Sequence, residues 1–483
     1  MKKLSLLILC LMACFCDAGA EVKITYTDSA QWKAYDDFNE VFLDKKRNIY
    51  MADTKQPDAD HRGNGYRDGD ESGCAAAIWC QAIMYDMVVN AYNRAQKEQD
   101  ATRMEKYKTL HDAIYKGEKA HYVNFDFHNP DTNNGWFVYD DIMWWTCALA
   151  RAYETFNVLD YLNYSEKSFC RVWYGSSKVG DDGSYADPAR FEGKYGGGMF
   201  WEWQPIEKAK PHQPGDFRSA CINFPTVIAA CLLHRLVPEG RPTPTATRPV
   251  RQTKEWYLEK AKEIYAWADA TLVNSNGRVA DGIHGGGPEF TDHLYNQATY
   301  IGASCLLYQL TQDINYLTKA LKGADYVVNN MCGNTGILKY ESGYEQGIYA
   351  AIYAQYIKLL VYDCGLSEGT ANTYLEHIKK NIQRAFVAMD KTRGIQIGNF
   401  ARNTKETDVV ESYGASGMPA LMLMFPVGDS TTPVKNVAAQ KTDGPSDVYT
   451  LEGKLVMKAA TPEQVHQLDS GLYIFQKKKV LVK

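Results

Sequence analysis

Apolar residues recur at helical spacing along most of the chain, and the pattern predicts twelve helices. They fall near 28–46, 73–95, 103–119, 140–156, 164–176, 217–236, 254–273, 295–310, 313–330, 345–363, 370–389 and 411–425. Two kinds of helix are mixed along the chain. Tyr374, Ile378, Ile382, Ala385, Phe386 and Met389 form a single stripe, as do Leu258, Ala261, Ile264, Tyr265, Ala268 and Leu272. The stretches Ile142 to Ala150 and Ile348 to Leu360 are instead apolar nearly all round, which marks helices covered on every side. Mixing the two kinds predicts an all-α domain in two concentric layers. Six inner and six outer helices would close a toroid; an irregular helical array fits the same pattern.

Between the helices run long loops rich in glycine, asparagine and aspartate, at Asp58–Gly73, Asn129–Gly135, Gly180–Gly198 and Gly282–Pro288. Long loops in compact domains carry function or lack order, and the aromatics in these favour function. The pattern changes after Phe425-Pro426. Residues 427–446 read as a linker, and residues 447–483 as a short β-rich tail with a hairpin turn at Glu452-Gly453. Such a tail is too small for a robust core of its own. At the other end, Lys2 and Lys3 precede an apolar run from Leu4 to Cys16 and then Ala18-Gly19-Ala20. Residues 1–20 therefore read as a cleavable signal, leaving a helical domain over 21–426. A competing reading makes Leu11-Met12-Ala13-Cys14 a lipobox with Cys14 lipidated, which Met12 fits poorly.

Composition narrows the function. The 483 residues carry a net charge of −5, which argues against a nucleic-acid binder. The 45% hydrophobic content excludes a disordered chain. With 33 tyrosines and 10 tryptophans, the chain suits either aromatic helix packing or a neutral polyhydroxylated ligand. Nine cysteines follow the signal, an odd number scattered through apolar helices with no CxxC pair. That pattern reads as buried small hydrophobes, with room for one or two bridges, and not as a disulfide framework. Asp58-x-Asp60 and Asp68-x-Asp70-Glu71 are acidic but lack a full calcium-loop pattern. No metal and no cofactor are expected.

The strongest local signal is Tyr139-Asp140-Asp141-Ile142-Met143-Trp144-Trp145, where two carboxylates stand at the entry to an apolar helix. Aspartates in a first turn cap helices and favour the dipole. They are also what a glycosidase needs: two carboxyls flanking one bond, one of them kept protonated by its neighbour's charge. Trp144 and Trp145 would wall a sugar site or pack in the core, and Tyr139 beside the pair is a further candidate for sugar contact. Asp281 and His284 lie on a glycine-rich loop, and Tyr295 and Asn296 open a helix; each is a candidate for sugar hydroxyls. Trp201 and Trp203 are candidates for stacking on a sugar, whereas Trp79 reads as core.

Several blocks in order resemble glycoside hydrolase family 76, the bacterial and fungal endo-α-1,6-mannanases. They are Trp79-Cys-Gln81-Ala82, Tyr139-Asp140-Asp141 with Trp144-Trp145, Gly196-Gly197-Gly198 with Trp201, Arg218-Ser219-Ala220 with Asn223, Asp281-Gly282-Ile283, Tyr295-Asn296-Gln297 and Ile301-Gly302-Ala303. The resemblance spans roughly residues 30–425. It implies an (α/α)6 toroid and a retaining mechanism, with Asp140 as nucleophile and Asp141 as acid/base. It also implies α-mannan poly- or oligosaccharide as partner and no nucleic acid. The family's late phenylalanine-lysine-glycine run reads Glu345-Gln346-Gly347 here, so a contact near the substrate has changed. The tail is similar to the sorting domains of the type IX secretion system, which would place a monomeric enzyme in the periplasm, at the cell surface or outside the cell, with outer-membrane secretion or anchoring machinery as a second partner. Competing functions are a transglycosylase on the same linkage and a non-catalytic surface glycan-binding protein, which would need no acid/base couple. An enzyme for uronic sugars would want basic residues beside the acids, and none stands there.

Overall fold

The computed structural model describes residues 22–55, 74–129, 138–191, 196–201, 211–341 and 345–428, and from the tail 446–450, 455–465, 468, 471–475 and 478–482. The signal-like segment, the acidic run at 58–71, Trp203 and the Glu452-Gly453 turn lie outside them. The chain divides into two compact units, Met1–Thr432 and Pro433–Lys483.

The first unit is an (α/α)6 toroid. Its helices are α1 (Asp28–Phe42), α2 (Ile78–Lys97), α3 (Ala101–His121), α4 (Tyr139–Phe156), α5 (Leu159–Tyr174), α6 (Ala220–Leu236), α7 (Lys254–Leu272), α8 (Leu294–Thr311), α9 (Ile314–Asn330), α10 (Tyr349–Asp363) and α11 (Glu368–Ala388). The one-turn α12 (Ser412–Ala415) and then α13 (Gly417–Met424) follow. Six helices form a closed inner ring in which α2 packs on α4, α4 on α6, α6 on α8, α8 on α10, α10 on α13 and α13 back on α2. Each carries an outer partner, namely α3, α5, α7, α9, α11 and α1 in the same order.

Burial separates the layers as the hydrophobic pattern requires. The outer α9 buries Leu317, Ala320, Gly323, Ala324 and Val327, one stripe at helical spacing. The inner α8 buries every residue from Asn296 to Leu307. Capping separates them too. Thr27, Asp100, Thr253, Asp313 and Ser367 cap outer helices through their side chains. None of the six inner helices has a side-chain cap bond. Most inner-to-outer links are two to four residues long (98–100, 157–158, 312–313 and 364–367), whereas the outer-to-inner links are the long loops. The long loops therefore gather where the inner helices begin.

Boundaries shift where short strands intervene. The first helix stops at Phe42 because Leu43–Asp44 (β1) pairs with Ile49–Tyr50 (β2). The sixth begins only at Ala220 because Arg218–Ser219 (β3) pairs with Gly282–Ile283 (β4), itself paired with Pro288–Glu289 (β5). All nine described cysteines are free, and eight are buried. Among the described residues no helix is long and apolar enough to cross a membrane.

The second unit holds an antiparallel sheet of β6 (Ser446–Thr450), β7 (Leu455–Ala460), β8 (Gly471–Phe475) and β9 (Lys478–Val482) in the order β7-β6-β8-β9. Its core is small: Val448, Ala460 and Val465, with Met457 and Leu468 against them.

Candidate active site

A cleft of about 430 Å3 opens where the inner helices begin. Its wall takes Trp79 from α2, Asp140, Asp141 and Trp144 from α4, Cys221 from α6, Tyr295 from α8 and Tyr349 from α10. The loops add Val138, Trp201, Phe217, Ser219, Asp281 and Glu345. The volume falls in the range of small-ligand sites.

The small sheet β3-β4-β5 sets one flank. Ala220 N–H donates to the Asp281 carbonyl (2.8 Å) and Asp281 N–H to the Glu289 carbonyl (2.8 Å), which fixes the backbone of Asp281. Asn296 Nδ2 then donates to Asp281 Oδ1 (3.0 Å) and holds the carboxylate. The neighbouring Gly282 admits no side chain: a Cβ there would lie 2.4 Å from the Phe217 ring. Asn223 on α6 ties down the glycine-rich loop, accepting from Met199 N–H (2.9 Å) and donating to the Met199 carbonyl (3.1 Å). In that loop Gly198 has φ +76° and lies flat on Trp267, where a Cβ would clash at 2.4 Å. Trp201 is carried into the cleft by its N–H bond to the Phe217 carbonyl (2.9 Å).

The opposite flank is aromatic. Tyr295 and Tyr349 stack at 4.0 Å and 8°. Trp79 meets both at 6.4 Å and Trp144 at 6.1 Å. The Trp79 indole N–H donates to Glu345 Oε2. Glu341 takes the cap position that α8 lacks, accepting from Leu294 N–H (2.8 Å). The short 3-10 turn Glu345–Ile348 packs so closely on α12 that a Cβ on Gly347 would lie 2.6 Å from the Gly414 nitrogen.

Asp140 and Asp141 stand in the first turn of α4 behind Val138, which offers no side-chain cap. The Asp140 carboxyl lies against the Cys221 thiol, the Trp201 indole and the backbone N–H groups of Asp140 and Asp141. Its Oδ1 is enclosed without a hydrogen-bond partner. Burial pushes the carboxyl up to about 6, against the lowering effect of those donors. The sequence pattern suggested charge repulsion within the pair as the cause; removal from water is the larger one. Burial, Asp140 and Asp281 together hold the Cys221 thiol well above its usual range. No lysine, arginine or histidine is among the described residues that line the cleft.

The structure thus brings Asp140, Asp141, Trp144, Trp201, Asp281 and Tyr295 to one cavity. It places four other candidates elsewhere. Trp145 is fully buried in the core, donating to the Ile78 carbonyl (2.9 Å) and packed on Tyr85 and Phe125. Tyr139 is buried with its ring on His212. His284 is exposed and stacks on Phe217 from outside the cavity (4.4 Å). Asn296 is buried and reaches the site through Asp281. Conversely Trp79, read as core, lines the cleft, as do Cys221, Phe217, Tyr349 and Glu345. Glu345 carries a sequence signal, its departure from the family pattern; Trp79, Cys221 and Tyr349 sit in apolar runs that look like plain packing, and Phe217 stands between Asp216 and Arg218 with no signal of its own. Among the described residues no group of three or more metal-ligating side chains occurs.

The model of glycosyl hydrolase family 76 matches residues 52–426, which include the whole cleft. The chain belongs to glycosyl hydrolase family 76. It is therefore a glycoside hydrolase. Solved structures with the same fold include an α-1,6-mannanase of a Salegentibacter species, 23% identical, with a TM-score of 0.61 over 82% of this chain and 98% of that one. A Listeria innocua protein is 21% identical (TM-score 0.60; 82% and 96% covered). A family 76 mannosidase of Bacteroides thetaiotaomicron is 16% identical (TM-score 0.59; 82% and 96% covered). Among curated proteins no sequence match is found.

Proposed function

We propose that this family 76 protein is an endo-acting α-1,6-mannanase that works with retention. The observation that carries the reading is the adjacent pair Asp140 and Asp141 on the wall of the cleft. The chain has three Asp-Asp pairs. On α1, Asp36 is engaged by Lys106 of α3 and Asp37 by Lys33, and Asp181 is engaged by Arg171. Only Asp140-Asp141 lines the cavity. Structures of the Salegentibacter mannanase include inactive variants with two consecutive aspartates replaced, one in complex with α-1,6-mannotriose. The stacked Tyr295 and Tyr349 with Trp79 and Trp144 offer the flat apolar faces that sugar rings favour, and the absence of a described base on the wall suits a neutral polymer.

In this reading the Asp140 carboxylate attacks the anomeric carbon while Asp141 gives its proton to the departing glycosidic oxygen. A glycosyl ester on Asp140 and a free hydroxyl on the leaving chain result. Asp141, now a carboxylate, takes a proton from water, whose oxygen displaces Asp140 and restores the original anomeric configuration. The aspartate N–H contacts and the first turn of α4 favour the ionised nucleophile. Export, expected from residues 1–20, completes the proposal, because the polymer lies outside the cell that digests it.

Digestion of linear α-1,6-mannan tests the whole. We expect a ladder of short oligosaccharides whose first-formed reducing ends are α by NMR. No release at high enzyme load would overturn the substrate. Mannose alone from the outset would overturn endo action, a β anomer first would overturn retention, and products longer than the input would mark a transglycosylase.

A further inference from the structure

The stacked pair Tyr295 and Tyr349 gives the cleft its aromatic flank, yet the two rings come from different inner helices, α8 and α10. His293, from which α8 starts, meets both of them. Its ring centroid lies 6.0 Å from that of Tyr295 at 68° and 5.9 Å from that of Tyr349 at 76°, so one imidazole stands crosswise to two parallel rings. His293 itself does not line the cavity. A carboxylate fixes the imidazole in place. Glu341, from the segment after α9, lies with Oε2 at 2.8 Å from His293 Nδ1 and accepts the Leu294 N–H at Oε1 (2.8 Å). The two side chains are only 18% and 16% exposed, which makes a charge-assisted bond between them stronger than a surface pair. Helix capping does not call for this histidine. Ser, Thr, Asp or Asn would cap α8 directly, whereas His293 makes no cap bond.

We propose that His293, anchored by Glu341, is a positioning residue that locks Tyr295 and Tyr349 into one platform for a sugar ring. The proposal rests on the reading of the cleft as a mannan site. A stack shared by two helices keeps its shape only if neither ring turns about its own side-chain bonds. One crosswise ring against both, itself tied at Nδ1, stops each from turning. Glu341 also fixes the backbone just before Tyr295, and Asn296 just after it is tied to Asp281 (3.0 Å). The start of α8 is thus held on both sides of the platform residue. A face that touches the sugar alike in the ground state and the transition state contributes binding and not rate. His293 therefore acts on KM, while Asp140 and Asp141 act on kcat.

The test measures kcat and KM on linear α-1,6-mannan for His293→Asn, which removes the ring but gives α8 a good cap residue, so that folding is kept. KM is expected to rise about tenfold, the scale of one or two lost ring contacts, with kcat within about twofold of the unsubstituted enzyme. Glu341→Ala, which unties the imidazole, should raise KM likewise. Glu341→Gln can accept from the Leu294 N–H and donate to the imidazole, and should restore most of the affinity. In a Tyr349→Ala background the platform is already broken, so His293→Asn should add little there. Thr253→Ala removes a side-chain cap from the outer α7 and, as the structural control, should leave KM alone. An unmoved KM in His293→Asn, an equal rise in Thr253→Ala, or an undiminished rise in the Tyr349→Ala background would overturn the positioning role. Failure of the underlying reading looks different: the unsubstituted enzyme would release nothing from the mannan, and the inference would fall with it.

Discussion

Two aspartates on neighbouring inner helices make an instructive pair. Burial pushes Asp86 on α2 and Asp140 on α4 up to about 6 alike. Asp86 faces Arg151, bonded at 2.5 Å, and the same guanidinium donates to the Tyr356 hydroxyl (2.8 Å). That cluster is enclosed by α2, α4 and α10 well along the helices, and its charges answer one another. Asp140 stands at the helix starts, beside a thiol, an indole and backbone N–H groups, and each of the two aspartates leaves its Oδ1 without a hydrogen-bond partner. A displaced pKa is therefore not in itself a sign of chemistry. What distinguishes the two is the partner and the opening: a buried acid with a fixed cation holds the ring together, and one with weak donors beside a cavity is available to react.

The comparison can be broken at either end, and activity should show the largest effect. Asp140→Asn is expected to lower kcat by roughly 10⁴-fold or more, the scale for a group that acts only in the transition state. Circular dichroism should remain that of a helical protein, and near-normal turnover would remove Asp140 from the mechanism. Asp86→Asn should do the opposite. It leaves Arg151 buried without its counter-charge, and a cost of about 3 kcal/mol is expected in denaturant unfolding, with turnover per folded molecule kept.

The pH profile sharpens the contrast further. A nucleophile must be ionised, so the raised pKa of Asp140 predicts an acid limb in kcat/KM near about 6 in place of the 3.8 of an ordinary aspartate. Were Asp140 the proton donor, that limb would be the alkaline one. Stability gives the smallest effect, with a worked sign. A carboxyl harder to ionise in the folded state than in the unfolded one costs nothing below its unfolded pKa. It destabilises progressively between about 3.8 and about 6, and fully above. Asp140→Asn removes that cost and should raise Tm at pH 7, whereas Asp86→Asn lowers it. A fall in Tm for both would show that Asp140 is as structural as Asp86.

Much of the scaffold was legible in the apolar spacing. Of the stripe on α7, Ala261, Ile264, Tyr265, Ala268 and Leu272 are buried and Leu258 is half-buried; of that on α11, Tyr374, Ile378, Ile382 and Ala385 are buried and Phe386 and Met389 half-buried. Outer helices have one wet face, so periodicity shows which side is in. Inner helices have none. On α4, Trp144 and Trp145 are adjacent and equally apolar, and only one of them reaches the cleft. On α2, Trp79 reads as core for the same reason. An axis-facing position and one facing the outer ring look identical in a sequence that is apolar on both.

By itself, the sequence determined two layers of helices, the loops between them, and one carboxylate pair at a helix entrance, because periodicity and first-turn chemistry are local. The tertiary structure decided the rest. Closing the ring brought the starts of five inner helices, none with a side-chain cap, around one cavity. It set Cys221 and Trp201 against Asp140 from segments some 60 to 80 residues away. It also sent Arg151 to Asp86 and, among the described residues of the cleft wall, no cation to Asp140. Burial and pairing depend on which distant groups meet, and no local pattern encodes that.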